Sequence, residues 1–390
     1  MATNDSSSKT RVLVVGGSFA GVGALTELAK HANALNLDVT LVEPRDHHFH
    51  NIAFLRAVAQ PGFAEKCFIP LANAPFLRGD SVHHERSRVR EAHVDRIVLE
   101  DGRELSYDYL VLATGSRYGV PSKVNTDVVE EGVAALKEAL AAVQKAKRIV
   151  VVGGGAVGIE LAGELKQNYP DSTVTIVSAE NQLLANPPAL ADKLRAKLLA
   201  KLTAFGVHVV LGRRITLTAE QRAAGYVAGE HAWELDNGET IEADLLFSAT
   251  GHTGLNTDLA QTLGENVVNP ETSEIRVRPT SQLQAHDHIF AVGDCADLGS
   301  KLAFLAGAQG ALSAENIIRL VRAQRNASST AKLSEFKTLN ACMVTIGSRE
   351  GAAQLPGIGV IGRTLVKMLK GKDFMLKRTY NQLAAKPQAD

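Results

Sequence analysis

Two segments of this chain share one glycine-rich pattern, and this repeat constrains the fold more than any other feature of the sequence. Residues 11–29 read RVLVVGGSFAGVGALTELA and residues 148–166 read RIVVVGGGAVGIELAGELK. Each segment predicts a buried strand, a glycine turn and an Ala- and Leu-rich helix, and each precedes a second apolar strand, at 37–44 and at 172–180. The pattern therefore predicts an α/β protein with two Rossmann-type, dinucleotide-binding folds in tandem.

Three further apolar strands end in short glycine motifs and show how the two folds are arranged along the chain. Two of them run into Ala-Thr-Gly, YDYLVLATGS at 107–116 and ADLLFSATGH at 243–252, and the third, HIFAVGDCAD at 288–297, runs into Gly-Asp. Glycine directly after a strand allows the backbone to turn closely past a bulky group. Because the Gly-Asp strand follows the second fold, we expect a discontinuous first domain with the second domain inserted in it.

These strands and the composition of the last segment predict three domains. The first nucleotide domain is formed by residues 1–120 and 255–325, and the second by residues 121–254. Residues 326–390 form a small C-terminal domain that begins after a short polar loop. Residues 351–390 hold seven Lys or Arg and two Asp or Glu, so this tail carries a net charge of +5.

The composition excludes several classes of protein. Lys and Arg together number 42, as do Asp and Glu, so no overall field attracts this chain to nucleic acid. The three cysteines, Cys67, Cys295 and Cys342, are far apart, which excludes a disulfide framework and leaves no metal-ligand spacing. We therefore expect a globular protein with no metal site and no specific nucleic-acid partner.

The N-terminus and the hydropathy of the chain bear on its location. The first ten residues, MATNDSSSKT, lack an apolar core and are not typical of a signal peptide. Position 2 is Ala, so N-myristoylation has no acceptor glycine, and no apolar run approaches the length of a transmembrane helix. The sequence predicts a cytoplasmic protein. It leaves open peripheral contact with a membrane.

The glycine turn of the first fold has the residues that a dinucleotide site requires, with one departure. Gly16 allows the tight turn, and Gly21 lets the helix pack closely on the strand. Ser18 stands where a glycine normally approaches the pyrophosphate, but serine is small and its hydroxyl can bind phosphate. Glu43, at the end of the second strand, can accept hydrogen bonds from an adenosine ribose.

The glycine turn of the second fold matches the motif completely, with Gly153, Gly155 and Gly158 in place. Aligning the second strands of the two folds sets Ser178 opposite Glu43. A carboxylate at this position would repel a ribose 2′-phosphate, whereas serine tolerates it. The second fold therefore predicts a nicotinamide site that accepts NADH and NADPH.

Glu160 lies two residues beyond Gly158, and the sequence predicts that it belongs to the first turn of the following helix. A carboxylate is favoured there by the helix dipole. Glu160 either stabilises the N-terminus of this helix or faces the nicotinamide ring with a direct part in catalysis, and the sequence leaves both interpretations open.

The order of the motifs GGSFAG, ATG, GGGAVG, ATG and GD resembles that of the two-dinucleotide-fold flavoproteins, the superfamily of glutathione reductase and type II NADH dehydrogenase. The resemblance implies that the first fold holds FAD and the second holds NAD(P)H, with a small C-terminal domain. It also implies that Gly115 and Gly293 lie against FAD and that Asp294 binds the ribityl chain of the flavin.

Two segments narrow the resemblance further. RDHHFHNIAFLRAVAQPGFAEKCFIPL at 45–71 and GRTLVKMLKGKDFMLKRTYNQL at 362–383 resemble the AMID, or ferroptosis-suppressor, branch of apoptosis-inducing-factor-like proteins. This resemblance implies that the chain is an NAD(P)H:quinone oxidoreductase. The three scattered cysteines cannot supply the redox pair of a disulfide reductase, so electrons are expected to leave the flavin directly for a quinone-like acceptor.

The resemblance implies roles for individual residues. Arg56 and Val89 match FAD-binding positions, as do Gly16 and Asp294. In the nicotinamide turn, Glu160 matches the glutamate of the family. The lysine that the family has near the flavin corresponds to Lys370.

Several alternatives stay open in the sequence. The acceptor could instead be a protein electron carrier of the ferredoxin or rubredoxin type, or the chain could be a redox-sensing interaction protein. The motif HHFH at 47–50 suggests either metal ligands or packing near the flavin, and packing is the better interpretation because adjacent residues in extended chain face opposite sides. Residues 363–372 are typical either of an interfacial helix on anionic lipid or of a helix packed on the FAD domain with a basic edge.

Overall fold

The structure is a computed structural model that describes residues 9–187, 189–326 and 331–387. The N-terminal lead with Ala2 and most of the polar loop after Asn326 lie outside the described residues. The strands are β1 (Thr10–Val15), β2 (Leu37–Val42), β3 (His47–Phe49), β4 (Phe68–Pro70), β5 (Val82–Glu85), β6 (Val89–Ala92), β7 (Arg96–Leu99), β8 (Glu104–Ser106), β9 (Tyr109–Leu112), β10 (Ser116–Arg117), β11 (Arg148–Val152), β12 (Thr173–Ser178), β13 (Val207–Leu211), β14 (Tyr226–Glu234), β15 (Thr240–Ser248), β16 (Gly254–Leu255), β17 (Ile289–Ala291), β18 (Cys342–Ile346), β19 (Glu350–Leu355) and β20 (Gly359–Ile361). The α-helices are α1 (Phe19–His31), α2 (Phe54–Ala57), α3 (Val129–Lys145), α4 (Ala156–Asn168), α5 (Asp192–Ala204), α6 (Ala219–Ala224), α7 (Asp258–Gln261), α8 (Ala303–Arg325), α9 (Arg363–Val366) and α10 (Leu376–Gln382).

The first glycine repeat lies in a parallel sheet with the order β17-β9-β1-β2-β5. Strand β9 is apolar and buried along its whole length and β1 is buried from Val12 to Val15, and helix α1 packs on β1, on β2 and on α8. Strand β17, more than two hundred residues after β1, completes this sheet at its edge. The chain therefore leaves the sheet after β9 and returns to it at β17.

The second glycine repeat lies in a sheet with the order β13-β12-β11-β15-β14, in which β14 is an antiparallel edge strand. Helix α4 follows β11 directly and packs on β12. The two segments that join the sheets pair with each other as β10 and β16, so that Ser116 lies opposite Leu255 and Arg117 opposite Gly254. Both nucleotide folds are therefore linked through one two-stranded antiparallel connection.

The C-terminal residues form a three-stranded antiparallel sheet, β18-β19-β20, followed by helical turns. Strand β18 packs on α4 and β19 on α5, with Val344 and Ile346 completely buried. Helix α9 continues into a π-helical turn at Lys367–Gly371. This sheet brings the C-terminal residues against the helix that starts at the second glycine turn. Among the described residues, no helix has the length and apolar character needed to cross a membrane.

Candidate active site

A cavity of about 680 Å³ lies at the carboxyl ends of the strands of the first sheet. This is the edge at which ligands bind in open α/β sheets. The predicted site residues that line it are Gly16, Ser18, Glu43, Val89, Gly115, Glu160, Gly293 and Asp294. They come from both nucleotide folds, because Glu160 belongs to α4, whereas the other seven belong to the parts of the chain assigned to the first domain.

The first glycine turn is tight because Gly16 has a φ of +109°, and a Cβ at this residue would lie 2.4 Å from the carbonyl oxygen of Ala113. A Cβ at Gly21 would lie only 1.8 Å from the carbonyl oxygen of Gly16. Side chains are excluded at both positions, and the start of α1 is held directly against the turn. Backbone N–H groups at the start of such a helix form a binding site for phosphate.

Glu43 closes the first turn from the neighbouring strand. Its carboxylate accepts a hydrogen bond from the backbone N–H of Gly17 at 2.7 Å and another from Nε of Arg45 at 2.7 Å. Burial raises the pKa of Glu43, but the hydrogen bonds and charge of Arg45 outweigh burial and hold this pKa below its ordinary value. Glu43 is therefore an ionised acceptor in the wall of the cavity.

Lys123 is a functional candidate that the sequence did not reveal, since it belongs to no motif. Its Nζ donates to the carbonyl oxygen and to Oγ of Ser116, at 2.8 and 2.9 Å, and lies 3.6 Å from Oδ2 of Asp294. Ser116 Oγ in turn donates to Asp294. Burial lowers the pKa of Lys123, although the charge of Asp294 opposes this shift. These three side chains form a connected polar group that lines the cavity.

The cavity wall fits a large polar ligand such as FAD. Asn51 lines it, and the Oδ1 of this residue is buried with no hydrogen-bond partner in the part of the chain that the structure describes. The glycine turn, the ionised Glu43 and the Lys123 group are the donors and acceptors that such a ligand requires.

The second glycine turn repeats the geometry of the first. Gly153 has a φ of +125°, and a Cβ there would lie 2.3 Å from the carbonyl oxygen of Ala249. A Cβ at Gly158 would lie 2.0 Å from the carbonyl oxygen of Gly153, whereas a Cβ at Gly155 would meet no atom within 4 Å. The turn is therefore closed on the protein side and open at Gly155, the residue that precedes α4.

Ser178 occupies in the second sheet the position that Glu43 occupies in the first. In the first sheet, Val42 pairs with Val15, the last residue of the central strand, and Glu43 follows Val42. In the second sheet, Val177 pairs with Val152, the last residue of its central strand, and Ser178 follows Val177. Ser178 is buried, and its Oγ accepts a hydrogen bond from the backbone N–H of Glu180 at 3.3 Å. The equivalent position of the second fold thus carries a neutral hydroxyl.

Glu160 and Lys370 form a buried ion pair. The Nζ of Lys370 lies 2.6 Å from Oε1 of Glu160, and the backbone N–H and the hydroxyl of Thr345 donate to the same oxygen at 3.0 and 3.2 Å. The prediction that Glu160 lies in the first turn of its helix was wrong, because α4 begins at Ala156 and Glu160 is its fifth residue. Its carboxylate is therefore bound by the C-terminal domain rather than by the N–H groups at the start of the helix.

Two predicted FAD-binding residues, Gly21 and Arg56, do not line the cavity. Gly21 supports the turn from behind, whereas Arg56 is directed elsewhere. It lies on α2, and its buried guanidinium binds the carboxylate of Glu164 on α4. Val89, in contrast, lines the cavity as the first residue of β6. A contact of Arg56 with the cofactor stays a prediction.

His48 and His50 pack against Phe19, with ring centroids 4.9 and 5.6 Å from the Phe19 ring. Burial lowers the pKa of His48 to about 3 and that of His50 to about 4, so both rings are neutral at pH 7. The described residues contain no group of His, Cys, Asp and Glu arranged to hold a metal ion. The thiol of Cys295 is also buried, and burial raises its pKa.

The apolar residues of 363–372 are divided between the protein interior and the surface. Val366 is completely buried, whereas Met368 and Leu369 are 68% and 44% exposed. The two exposed side chains line a second, shallow cavity of about 630 Å³. We call the surface around them the tail surface, whose charged and exposed apolar members are Lys367, Met368, Leu369, Lys372, Asp373, Lys377 and Arg378.

This chain is similar to several known proteins over nearly its whole length. The sequence model of a family described as pyridine nucleotide-disulphide oxidoreductase matches residues 10–310. Ferroptosis suppressor protein 1 of Xenopus tropicalis is 30% identical over 380 residues, which cover 96% of each chain. Apoptosis-inducing factor homolog B of Dictyostelium discoideum is 30% identical over 398 residues and covers 97% of each chain. The predicted resemblance is confirmed.

Solved structures show the same fold. The sulfide:quinone oxidoreductase of Aquifex aeolicus superposes with a TM-score of 0.73 at 16% identity, covering 96% of this chain and 91% of the other. NDH2 of Plasmodium falciparum, solved in complex with NADH, has a TM-score of 0.69 at 16% identity and covers 97% and 95% of the two chains. The predicted α/β class with tandem Rossmann-type folds is confirmed.

Proposed function

Because this chain belongs to the pyridine nucleotide-disulphide oxidoreductase family, we propose that the cavity of the first fold binds FAD and that the enzyme transfers electrons from NAD(P)H to a quinone-type acceptor. The chain is an FAD-dependent oxidoreductase with NADH or NADPH as its co-substrate. The observation that carries the proposal is that Val157 and Glu160, on the helix that starts at the second glycine turn, line the cavity of the first glycine turn, with Lys370 bound to Glu160. Bound FAD supplies the hydride acceptor and the electron donor.

The residues of the first fold divide the work of holding FAD. The backbone N–H groups around Ser18, at the start of α1, bind the pyrophosphate, and Glu43 binds the adenosine ribose. Asp294 and Lys123 bind the ribityl chain and the adjoining phosphate, since they form a connected polar group in the same wall. Val89 contacts the adenine.

The second fold and the C-terminal domain complete the reaction site. Gly153, Gly155 and Gly158 bind the pyrophosphate of the nicotinamide donor, and Ser178 leaves space and neutral charge for a ribose 2′-phosphate. Glu160 positions the nicotinamide. The Nζ of Lys370 pairs with Glu160. It places a positive charge where negative charge develops during reduction of the flavin. Glu160 is 5% and Lys370 14% exposed, so water screens the charges of this pair less than those of a surface pair.

Electrons are proposed to leave the flavin directly for a quinone, because the three cysteines of the described residues form no redox disulfide. Cys67, Cys295 and Cys342 are free and buried, and burial raises the pKa of each thiol, which opposes formation of a reactive thiolate. Two solved structures with the same fold are a sulfide:quinone oxidoreductase and NDH2, and the name of the first includes a quinone.

The domain division at residues 1–120 with 255–325, 121–254 and 326–390 is part of this proposal. The strand order supports it, because β17 joins the sheet of β1 while β11 to β15 form a sheet of their own.

We also propose that the tail surface contacts a membrane. Two exposed apolar side chains lie there among Lys and Arg, a composition that favours anionic lipid.

The decisive experiment is an anaerobic titration of the purified holoenzyme. Addition of NADH should bleach the flavin absorption near 450 nm, and a short-chain ubiquinone added next should restore it within the turnover time. Reduced flavin that is reoxidised by a ferredoxin or rubredoxin but not by ubiquinone would replace the quinone by a protein acceptor. Purified protein that neither contains nor binds FAD would refute the assignment of the cavity.

A further inference from the structure

We propose that Arg56 and Glu164 form a positioning pair that holds the backbone next to Lys370 and thereby sets the distance between Lys370 and Glu160. The inference rests on the proposed function in one respect, the part that Lys370 and Glu160 take in the reaction. It assigns Arg56 to the C-terminal segment. The sequence resemblance implies instead that Arg56 binds the cofactor.

The guanidinium of Arg56 joins three parts of the chain. Its Nε and Nη2 donate to the two carboxylate oxygens of Glu164, each at 2.8 Å, which is the forked geometry of a strong ion pair. Its Nη1 donates to the carbonyl oxygen of Lys372, and its Nη2 also donates to that of Gly371, again at 2.8 Å. Both charged side chains are buried, at 3% and 0% exposure.

The same helix carries both ion pairs. Glu160 and Glu164 are four residues apart on α4, so that their side chains lie one turn apart on one face. Lys370 binds Glu160 through its side chain, and the carbonyl oxygen of the next residue, Gly371, binds the guanidinium held by Glu164. Contacts at two successive residues, Lys370 and Gly371, therefore hold the C-terminal segment at one position along α4.

The segment that carries Lys370 needs such external contacts because its own backbone is irregular. Lys367–Gly371 form a π-helical turn, and Phe374 and Met375 have positive φ values of +51° and +64°. A third contact comes from His50, whose neutral ring donates from Nε2 to the carbonyl oxygen of Phe374 at 2.8 Å. The guanidinium also lies 4.8 Å from the centroid of the Phe374 ring.

Lysine cannot replace arginine in this arrangement. The ammonium group carries its three donors on one atom, whereas Glu164 and the two carbonyl oxygens are bound by three different nitrogens of the guanidinium. Arg56→Lys keeps the charge that compensates Glu164 but gives up the contacts to the segment. The Arg56→Lys substitution therefore tests positioning without leaving an unpaired buried carboxylate.

The test compares Arg56→Lys, Lys370→Met and the double variant as FAD-loaded full-length proteins. We expect Arg56→Lys to retain FAD, to increase hydrogen exchange of the backbone amides of Lys372 and Phe374 by at least tenfold, and to lower kcat with ubiquinone by roughly tenfold, because small misplacements of catalytic groups cost up to about 100-fold. The KM for NADH should change much less than kcat. In the double variant, kcat should be no lower than in Lys370→Met alone.

A control at a more exposed site is Arg148→Lys, since Nε and Nη2 of Arg148 both donate to Oδ1 of Asp244 in an ion pair at the far end of β11. The control should leave exchange at Lys372 and quinone turnover unchanged. If Arg56→Lys does not fold, Glu164→Gln, which keeps the side-chain shape, carries the same comparison.

Three results would overturn the inference: unchanged exchange of the segment in Arg56→Lys, additive losses of kcat in the double variant, or loss of FAD from Arg56→Lys with no loss from Lys370→Met. The last result would make Arg56 a cofactor ligand. A failure of the proposed function looks different, because Lys370→Met would then turn over quinone normally while the exchange result still decided the role of Arg56.

Discussion

The donor preference of this enzyme should depend on one side chain, Ser178. In the first sheet the equivalent residue is Glu43, whose carboxylate accepts the N–H of Gly17 at 2.7 Å. In the second sheet, a Cβ at the corresponding Gly154 would lie 2.7 Å from Oγ of Ser178, so the serine stands at the same place beside its turn. Ser178→Glu therefore introduces a carboxylate where the adenosine ribose of the donor is proposed to bind.

The size of the effect follows from the charges. A 2′-phosphate carries a charge of about −1.5 to −2, and each pair of unit charges 4 Å apart repels by about 1 kcal/mol in bulk water and about 4 kcal/mol near a protein surface. The lower limit, about 1.5 kcal/mol, already corresponds to roughly a tenfold loss of NADPH affinity. NADH gains a hydrogen bond to the new carboxylate instead. The ratio of kcat/KM for NADH to that for NADPH should therefore rise by roughly tenfold or more.

The assay is steady-state quinone reduction with both donors, and Ser178→Gln is the control because it adds the same bulk without charge. The Gln variant should shift the ratio by less than threefold, and the shift in the Glu variant should decrease with added salt. An unchanged ratio in Ser178→Glu, or equal shifts in both variants, would contradict the position assigned to the ribose.

Three further predictions concern the cofactor, the tail surface and the effect of pH. Asp294→Ala should lower the FAD content of the purified protein severalfold, as measured by the ratio of absorbance at 450 and 280 nm. Replacing Met368 and Leu369 together by Ser should reduce co-sedimentation with vesicles that contain 30% anionic lipid and leave recovery with neutral vesicles at background; equal binding to both kinds of vesicle would contradict the electrostatic model. His48 and His50 are held neutral with pKa values of about 3 and 4, below the ordinary value of 6.5, so the stability they contribute is present above pH 6.5 and is lost as the pH falls toward 4. Each should account for about 3 kcal/mol of that loss at pH 4, and His48→Gln should flatten the pH dependence of the urea midpoint between pH 6.5 and 4.5.

The cavity residues that the sequence missed have no local signature. Lys123 follows the Ala-Thr-Gly motif by eight residues, and only the packing of its stem brings the Nζ to Ser116 and Asp294. The acceptor of Asn51 is notable only because it is buried without a partner among the described residues. Such features depend on which surfaces meet, and a single sequence carries no record of that.

The sequence by itself determined the two dinucleotide folds, because a glycine turn is a local constraint. Positive φ at Gly16 and Gly153, and backbone contacts that exclude a Cβ, restrict the residue type at each position independently of the rest of the chain. Strand and helix periodicity around each turn are equally local. These features can therefore be recognised directly in the amino-acid sequence.

Only the tertiary structure decided which distant residues meet. Glu160 and Lys370 are 210 residues apart, and Arg56 and Glu164 are 108 apart. Both pairs exist because the C-terminal sheet and α2 pack on the same helix, α4. The outward position of Met368 and Leu369 follows from that packing as well, since burying Val366 turns them to solvent. The physical reason is that an ion pair in the interior is selected by the geometry of the surfaces that enclose it, and this geometry is not set by the residues adjacent in the chain.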